Sequence, residues 1–286
     1  MPELPEVETI VNDLKKNILK KKISGVEILK KKIVRNSPQT FKKTLVGDSF
    51  QKIFRRGKYI FIELKNADKT IVVHLRMTGQ LIYQKDKKIV AGGHSQGDEL
   101  EFSNKHTHVI INFKDKSQLF YNDVRQFGFW QLISSDEMAE LDNKIGIEPL
   151  SREFSYVYFK NLLTDKNSNI KSFLLDQKFI AGLGNIYVDE ALFLSRISPY
   201  RRLNTLNNKE ILSLHRAIKN ILAKAIFSRG TTFNDYVDAS GNKGSFLAFL
   251  NVYQRDKKKC KRCKKENIKK VKIAGRGTRY CPACQK

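Results

Sequence analysis

Four cysteines lie near the end of the chain in two pairs that have the spacing of metal ligands. Cys260 and Cys263 form one C-x-x-C pair, Cys281 and Cys284 form another, and seventeen residues separate the pairs. Four thiolates at this spacing can close a tetrahedral Zn²⁺ site that leaves no position open for a substrate. The pattern predicts one structural zinc ion. A redox-active pair is the alternative, and the presence of two motifs argues against it.

A basic segment separates the two cysteine pairs. Residues 269–280 read Lys-Lys-Val-Lys-Ile-Ala-Gly-Arg-Gly-Thr-Arg-Tyr, which is typical of a β-hairpin with Gly275 and Gly277 near its turn. A rigid basic hairpin suits contact with the phosphates of a nucleic acid. A zinc ribbon by itself specifies no function, because some protein adaptors carry one as well.

The first residues of the chain offer a second kind of chemistry. Removal of Met1, the ordinary processing of a Met-Pro start, would expose Pro2 as a secondary amine. An α-amino group has a reference pKa of about 8, and the positive end of a helix lowers it further. A neutral amine can form a Schiff base with a sugar carbon, and Glu3 beside it can act as a general acid or base. Proline and glutamate are also common at helix starts, so these residues alone favour the simpler interpretation.

Hydrophobic spacing predicts the elements that must position these residues. Val7, Ile10, Val11, Leu14 and Ile18 follow the period of a helix that begins near the chain start. Short strand-like runs separated by polar turns then predict an antiparallel β-sandwich with that helix packed against it. The runs are Ser24–Leu29, Phe50–Phe54, Tyr59–Leu64, Thr70–Leu75, Gln80–Gln84, Glu99–Phe102, Thr107–Phe113 and Gln118–Asn122.

The pattern becomes helical in the second half of the chain, most clearly in Lys209–Phe227, and the tail is too short to fold without a metal. The predicted fold class is therefore α+β and multidomain. We expect an N-terminal β-sandwich domain over residues 1–133, a linker over 134–150, a helical domain over 151–250 and a zinc-bound hairpin over 251–286.

Charge and composition limit the class of partner. Lys and Arg total 54 against 29 Asp and Glu, and this net charge of +25 favours a polyanion such as DNA, RNA or an anionic membrane surface. No apolar run of about 18 residues is present, and the start lacks the pattern of a signal peptide. We therefore expect a cytoplasmic protein that binds nucleic acid and does not span a membrane.

Several short motifs, in order along almost the whole chain, resemble those of the formamidopyrimidine-DNA glycosylase family. Any one of them would be a weak signal, but together they are highly specific. They are Met1–Thr9 (MPELPEVET), Arg56–Tyr59 (RGKY), His74–Gly79 (HLRMTG), Asp123–Gly128 (DVRQFG), Asp176–Glu190 (with GLGNIYVDE), Asp235–Gly241 (DYVDASG) and Gly275–Thr278 (GRGT), followed by the last two cysteines.

The resemblance implies a fold, an activity and a partner. The family has a leading helix on a β-sandwich, a helix–two-turns–helix domain and a zinc ribbon, with damaged double-stranded DNA in the cleft between the halves. It implies a base-excision-repair enzyme that removes oxidised purines, 8-oxoguanine and formamidopyrimidines, and then acts as a lyase at the abasic site. By this resemblance Pro2 attacks C1′, Glu3 is its acid/base partner, Lys58 serves β-elimination and Arg276 serves δ-elimination.

The resemblance also implies the residues that contact DNA. A glycosylase must take its target base out of the helical stack, which leaves a hole that an apolar wedge and a hydrogen-bonding group can fill. Met77, Arg125 and Phe127 match the family's trio for this task. The remaining contacts to phosphate or backbone are His74, His106, Lys171 and Asn185.

Two departures from the family pattern bear on these expectations. Gln126 replaces a second basic residue, which weakens one backbone contact. Arg229-Gly230 replaces a pair of glycines ahead of the expected loop over the extruded base. Neither change touches the four residues expected to carry the chemistry.

Two alternatives remain open. One is an enzyme of the endonuclease VIII type, which removes oxidised pyrimidines; Leu4 and the full Arg125/Phe127 motif favour the purine branch. The other is a non-catalytic DNA- or RNA-binding protein built on the zinc ribbon, which would need none of Pro2, Glu3 or Lys58. We also expect a bacterial monomer that needs no small-molecule cofactor and is associated with the nucleoid when bound to DNA.

Overall fold

The computed structural model describes residues 1–86, 103–231 and 246–286, together with the backbone of residues 88–93. The chain divides into two compact units. Unit 1 contains Met1–Asn143 and the described part of Ser228–Ser245, and unit 2 contains Lys144–Phe227 and Phe246–Lys286. The chain thus leaves unit 1 and later returns to it. The bounds of the four segments expected from the sequence stay a prediction.

Helix α1, Leu4–Ile18, opens unit 1 as the spacing predicts. Pro5 stands in its first turn, where a missing N–H costs nothing, and the Glu6 carboxylate accepts the Glu3 N–H at 2.9 Å. The apolar side of the helix is buried against the sandwich. Its residues are Val7, Ile10, Val11, Leu14 and Ile18.

Two antiparallel sheets form the sandwich of unit 1. Their strands are β1 Ile23–Ile28, β2 Phe50–Arg56, β3 Tyr59–Leu64, β4 Thr70–His74, β5 Gly79–Lys85, β6 Lys88–Gly93, β7 Thr107–Phe113, β8 Gln118–Asp123 and β9 Phe129–Ile133. One sheet has the order β2-β3-β4-β9, and the other has the order β1-β7-β8-β5-β6. One buried cluster joins side chains from both sheets to α1, with Trp130 and Tyr121 among its largest members.

The predicted strands coincide with β1 to β5, β7 and β8, and the eighth run, Glu99–Phe102, lies outside the described residues. Strands β6 and β9 were not predicted. Helix α2, Pro38–Leu45, was also missed, although Ser37 caps it by accepting the Thr40 N–H. Its eight residues bury only Phe41 and Leu45, too few to produce a helical pattern. Helix α3, Ser135–Asn143, lies within the stretch expected to be a linker.

Unit 2 is helical. Its longest helix, α7, confirms the predicted Lys209–Phe227 and begins one residue earlier. Asn207 accepts the Glu210 N–H at 3.0 Å, and Glu210 accepts the Asn207 N–H at 2.8 Å, so a reciprocal cap fixes its start. The helices are α4 Tyr156–Leu163, α5 Ile170–Leu175, α6 Asn185–Leu194 and α7 Asn208–Phe227.

The end of unit 2 forms the predicted basic hairpin. Strand β10 is Lys269–Ile273 and strand β11 is Arg276–Tyr280. Gly275 occupies the turn at φ +71°, a conformation that glycine adopts without strain, whereas Gly277 lies within β11. In the described part of the chain, no helix combines the length and the apolar character needed to cross a membrane.

Candidate active site and nucleic-acid interface

The start of α1 is enclosed and fixed by a single carboxylate. Pro2 and Glu3 are buried. One oxygen of Glu6 accepts the Glu3 N–H, and the other accepts both the Thr231 N–H at 2.8 Å and the Thr231 hydroxyl at 2.9 Å. Glu6 therefore ties the first residues of the chain to a segment that is distant in sequence.

The amino group of Met1, next to Pro2, lies among charged side chains. Burial lowers its pKa, the negative charges of Glu3 and Glu6 raise it, and the positive charge of Lys58 lowers it again. The net direction is downward, which increases the fraction of neutral, nucleophilic amine near neutral pH. The structure thus brings Glu3 and Lys58 together at the amino terminus, as the sequence predicts.

Lys58 reaches this position from the tight turn between β2 and β3. Gly57 has φ +57° there, and Arg55 donates to the Gly57 carbonyl at 3.0 Å and to the Glu8 carboxylate at 2.7 Å. Because Glu8 lies on α1, this arginine joins the turn to the helix. Lys58 itself is buried, so its ammonium is not one of the many solvated charges on the surface.

His74 ends β4 and is nearly enclosed, with 6% of its surface exposed. Its Nδ1 accepts the backbone N–H of Arg76 at 2.9 Å. The ring stands edge-on to Tyr59 at 4.6 Å and stacks on Phe129 at 5.9 Å between centroids. Burial lowers the pKa of His74 to about 3, and nearby positive charges, that of Arg76 first, lower it as well.

Two loops of unit 1 meet at a buried carboxylate. The Met77 loop, residues 75–78, joins β4 to β5, and the Arg125 loop, residues 124–128, joins β8 to β9. Asp123 is fully buried; it accepts the Thr78 hydroxyl and, at 2.8 Å, the Gly128 N–H. The Thr78 oxygen in turn accepts the Arg125 N–H at 3.1 Å. One residue therefore fixes both loops.

The three residues expected to fill the DNA stack project from these two loops. Met77 is 39% exposed and Phe127 is 54% exposed, which is unusual for large apolar side chains. Arg125 is exposed too, and its guanidinium carbon lies 4.8 Å from the centre of the Phe127 ring. Their exposure on fixed loops fits a wedge better than a place in the core.

His106, the second histidine predicted to contact DNA, lies close to Asp123 in the fold. His106 is half-buried, and its carbonyl accepts the Asp123 N–H at 3.0 Å. The neighbouring His108 is buried, with Nε2 2.8 Å from the Asp123 carbonyl. Sequence reasoning missed Asp123, Thr78 and Glu6 as site residues, although all three lie within the motifs. Their signal is a polar side chain next to a strand end or helix start.

Lys171 does not occupy the position expected of it. Its ammonium is fully buried and donates to Asp189 at 2.6 Å and to the Thr278 hydroxyl at 2.7 Å. Burial raises the pKa of Asp189 to about 6, while the charge of Lys171 opposes that rise. The structure does not support the predicted direct phosphate contact. Lys171 instead connects α5, α6 and the zinc hairpin.

Asn185, the first residue of α6, also holds the hairpin. Its Nδ2 donates to the Gly277 carbonyl at 2.8 Å, and its Oδ1 is buried with no hydrogen-bond partner among the residues that the structure describes. Arg276, next to Gly277, is exposed at the end of the hairpin. Within unit 2 the structure therefore brings Asn185 and the Arg276 region together.

The four cysteines form one cluster. The Sγ atoms of Cys260 and Cys284 are 3.8 Å apart, those of Cys263 and Cys281 are 3.7 Å apart, and all four lie within 4.8 Å of one another. A tetrahedral Zn²⁺ with Zn–S bonds of about 2.3 Å requires sulfur atoms roughly 3.8 Å apart. Backbone N–H groups lower the pKa of Cys263 to about 6, whereas burial raises the pKa of Cys281 and of Cys284 in the absence of a metal charge. One structural zinc ion fits this site.

The two departures from the family pattern are both accommodated. Arg229 has φ +59° and donates to Asp13 on α1 at 2.6 Å. Gly230 has φ +80°, and a Cβ there would lie 2.9 Å from the Glu6 carboxylate. Gln126 has φ +55° in the Arg125 loop. The motif at Asp235–Gly241 lies outside the described residues.

Comparison with known proteins covers nearly the whole chain. Three family models match: the formamidopyrimidine-DNA glycosylase N-terminal domain over residues 1–130, the formamidopyrimidine-DNA glycosylase H2TH domain over residues 145–236, and the zinc finger found in FPG and IleRS over residues 257–286. The formamidopyrimidine-DNA glycosylase of Pelotomaculum thermopropionicum is 43% identical, with 100% of this chain and 99% of the relative covered. That of Streptococcus pneumoniae is 38% identical with the same coverage.

Solved structures agree with these matches. A complex of the Lactococcus lactis enzyme with DNA containing an abasic site has a TM-score of 0.87 at 39% identity, covering 99% of each chain. A complex of the wild-type Lactococcus lactis enzyme with DNA containing an oxidised pyrimidine has a TM-score of 0.86 at 39% identity, covering 100% of each chain. The predicted fold class and family are confirmed. The chain belongs to the formamidopyrimidine-DNA glycosylase family.

Proposed function

We propose that this protein is a base-excision-repair enzyme, a DNA-formamidopyrimidine glycosylase and abasic-site lyase, that removes oxidised purines from duplex DNA. The observation that carries this proposal is the enclosed chain start: Pro2 and Glu3 are buried, and burial and Lys58 lower the pKa of the adjacent Met1 amino group. A non-catalytic DNA-binding protein would not need that arrangement. The named relatives and the complexes of similar structures with damaged DNA support the same activity.

Each proposed catalytic residue has one task. After removal of Met1, the Pro2 nitrogen attacks C1′ of the damaged nucleotide, the glycosidic bond breaks, and the base leaves with its bonding electrons and takes up the proton that the nitrogen gives up. The C1′–O4′ bond then opens as O4′ takes a proton from Glu3, and the nitrogen forms a Schiff base with C1′. The resulting Schiff base withdraws electrons from the sugar, so that a proton can be lost and the strand cut by β- and δ-elimination. Glu3 transfers protons at the sugar. Lys58 serves the first elimination and Arg276 the second.

The DNA contacts divide into two groups. Met77, Arg125 and Phe127 fill the space left by the extruded nucleotide, because they project from loops that Asp123 holds in place. The contacts to the sugar-phosphate backbone are His74, His106 and Asn185. Lys171 acts from inside unit 2 as a positioning residue for the hairpin that carries Arg276.

The substrate class needs a direct comparison. The resemblance favours oxidised purines, whereas the oxidised pyrimidine in the DNA bound by a Lactococcus lactis relative favours a second class of lesion. We propose that oxidised purines are the preferred substrates and that oxidised pyrimidines are weaker ones. The relatives come from bacteria, which supports action on bacterial DNA. We propose that the protein acts there as a monomer, in the cytoplasm and on the DNA of the nucleoid.

Borohydride trapping tests the proposal. The purified, zinc-loaded protein is incubated with duplexes that carry 8-oxoguanine opposite cytosine or an oxidised pyrimidine, and borohydride reduces any imine to a stable protein–DNA adduct. We expect adducts that form faster on 8-oxoguanine. A chain with an N-terminal extension turns the Pro2 nitrogen into an amide and should give none, while Pro2→Gly should give far less.

The control is DNA binding by the extended chain, which should persist on a duplex with an abasic-site analogue because no binding residue has changed. Strand cleavage without a trapped adduct would contradict the imine mechanism. Binding without either cleavage or adduct, from a mature amino terminus, would leave a zinc-ribbon DNA-binding protein.

A further inference from the structure

One ring nitrogen of His74, Nδ1, has a hydrogen-bond partner inside the protein. Nδ1 accepts the backbone N–H of Arg76, two residues later, at 2.9 Å. A nitrogen that accepts a hydrogen bond carries no hydrogen, so in the neutral ring the hydrogen must be on Nε2. A charged ring would carry hydrogens on both nitrogens, and the Nδ1 hydrogen would then face the Arg76 N–H. The hydrogen bond therefore selects both the tautomer and the neutral state.

The groups around the His74 ring also favour its neutral state. Tyr59 and Phe129 cover the ring, and the charged side chains that reach it electrostatically, those of Arg76, Lys58 and Arg35, are all positive. Arg35 itself lies 3.4 Å from the centre of the Phe129 ring, so a cation is held on that side of the stack. Protonation would add a positive charge to a buried, already positive environment.

The same hydrogen bond shapes the Met77 loop. Arg76 has φ +52°, the left-handed region that residues with a side chain rarely adopt. The next residue is Met77, the proposed wedge. An acceptor on residue i that binds the N–H of residue i+2 is the interaction by which Asn and Asp stabilise tight turns, and His74 makes it here with a ring nitrogen.

We propose that His74 divides two tasks between its ring nitrogens: Nδ1 positions the Met77 loop, and Nε2–H contacts the DNA backbone as an uncharged donor. This rests on the proposed function, because it assigns atoms to a contact proposed there. Since the donor is neutral, removing it weakens DNA binding without changing the salt dependence, unlike removal of a lysine or arginine contact. Base extrusion depends on the other nitrogen.

Two substitutions separate the tasks. In His74→Asn the side-chain oxygen can take the place of Nδ1 and accept the Arg76 N–H, but the Nε2 donor is lost. In His74→Gln the side-chain amide reaches the place of Nε2, but the Nδ1 acceptor is lost. His215→Gln is the matched control, because His215 is also a buried histidine, with Nε2 2.8 Å from the Phe154 carbonyl in unit 2.

Binding is measured on a duplex with a tetrahydrofuran abasic analogue, and extrusion is measured by the fluorescence of 2-aminopurine placed beside 8-oxoguanine. We expect His74→Asn to bind DNA about tenfold more weakly, because one hydrogen bond to a charged group is lost, and the salt dependence of binding should not change. Once bound, this variant should extrude the base at a near wild-type rate. We expect His74→Gln to bind nearly normally and to extrude about tenfold more slowly.

The tautomer is read independently of any reaction. A two-bond ¹H–¹⁵N spectrum of the free protein, with the His74 signals identified by their loss in His74→Gln, should show a neutral Nε2–H ring throughout about pH 5 to 8. An Nδ1–H ring, titration within that range, or equal loss of binding and extrusion in both variants would overturn the proposal. Failure of the imine mechanism alone would leave these spectra and the binding results unchanged.

Discussion

Asp123 positions the loops that carry the proposed wedge residues without being one of those residues. It is fully buried, and its two carboxylate oxygens accept hydrogen bonds from Thr78 in one loop and from Gly128 in the other. Gly128 permits this close approach, because a Cβ there would lie 1.9 Å from the Tyr121 hydroxyl. At the scale of single residues, the geometry of the DNA-facing loops thus depends on a carboxylate and a missing side chain.

We expect Asp123→Asn to lower the free energy of unfolding by about 2 to 3 kcal/mol, because the new NH₂ group faces donors and leaves one of them unsatisfied. Cleavage of an 8-oxoguanine duplex should fall more than nonspecific DNA binding. Chemical denaturation and single-turnover cleavage measure the two effects. Asp115→Asn is the control: Asp115 is an exposed partner of Lys21, and its loss should cost less than about 1 kcal/mol. Equal effects of both substitutions would show that burial of Asp123 is not decisive.

Single residues differ in how well the sequence predicts them. The spacing of the cysteines predicts a zinc site, and the motifs that contain Pro2, Glu3 and Lys58 predict a catalytic role for these residues. Asp123 and Glu6 could not be assigned from spacing, because their importance comes from partners brought together by folding. The sequence also could not show the surroundings of Lys171, whose phosphate contact stays a prediction. A sequence shows its charge, but only packing shows that its ammonium is enclosed by Asp189 and Thr278.

The ion pair of Lys171 and Asp189 joins three elements of unit 2, which are α5, α6 and β11. Lys171 lies on α5, Asp189 on α6, and Thr278 on β11 receives a hydrogen bond from the same ammonium. Asp189 also accepts the Arg279 N–H at 2.9 Å. The orientation of the zinc hairpin therefore depends on a buried polar network, which tolerates the loss of one member poorly.

We expect Lys171→Met to lower the free energy of unfolding by about 3 to 5 kcal/mol, because the Asp189 carboxylate is left buried without its cation. Replacing both partners, Lys171→Met with Asp189→Leu, should cost less than the single change. Denaturation midpoints of the single and double variants measure the difference. A less buried pair for comparison is Asp256 with Arg279, whose side chains are 36% and 14% exposed, and Asp256→Asn should cost less than about 1 kcal/mol. A double variant less stable than Lys171→Met would contradict this account.

The stability of Lys171→Met should change with pH in a direction that follows from the pKa of Asp189. Burial raises the pKa of Asp189 to about 6, and removing Lys171 should raise it further. The pKa of an aspartic acid in the unfolded state is about 4. Between that value and the higher pKa of the folded state, the folded protein binds more protons than the unfolded protein, so a rise in pH favours unfolding. The free energy of unfolding of Lys171→Met should therefore fall as the pH rises through this interval, and should go on falling above pH 6.

Elements with strong alternation or helical period were predicted well, as the agreement for α1, β3, β7 and α7 shows. Strand β9 was missed because Phe129–Ile133 is short and nearly all apolar, so alternation is hidden. Strand β6 reads Lys-Ile-Val-Ala-Gly-Gly, in which two glycines weaken a strand pattern. Where local propensity is weak, pairing with a neighbouring strand decides the structure, and the sequence does not display that pairing.

At the scale of the whole molecule, the zinc ribbon is joined to the rest of unit 2 by hydrogen bonds to backbone carbonyls. Arg262 donates to the Phe193 carbonyl at 2.9 Å, Gln285 donates to the Ile197 carbonyl at 2.9 Å, and the Ser198 N–H donates to the Lys286 carbonyl at 2.8 Å. Each contact starts near a cysteine. Loss of the metal should therefore loosen more than the hairpin itself.

We expect a strong chelator to lower the melting temperature of unit 2 and to leave that of unit 1 nearly unchanged, because the cysteines belong to unit 2 alone. The single tryptophan, Trp130, lies in the core of unit 1, so its fluorescence reports that unit. Calorimetry with and without the chelator measures the melting temperatures of both units. Added Zn²⁺ should restore the lost transition. A Trp130 transition that moves with the chelator would show that the two units unfold together.

The bond between Glu6 and Thr231 spans 225 positions of the chain. Ribosomes add about 5 to 20 residues each second, so roughly 10 to 45 s separate the synthesis of these two partners. During that interval the start of α1 lacks the contact that later fixes it. Any removal of Met1 from the growing chain would therefore precede this contact, so the chain start is made among the first residues but is held by a residue made much later.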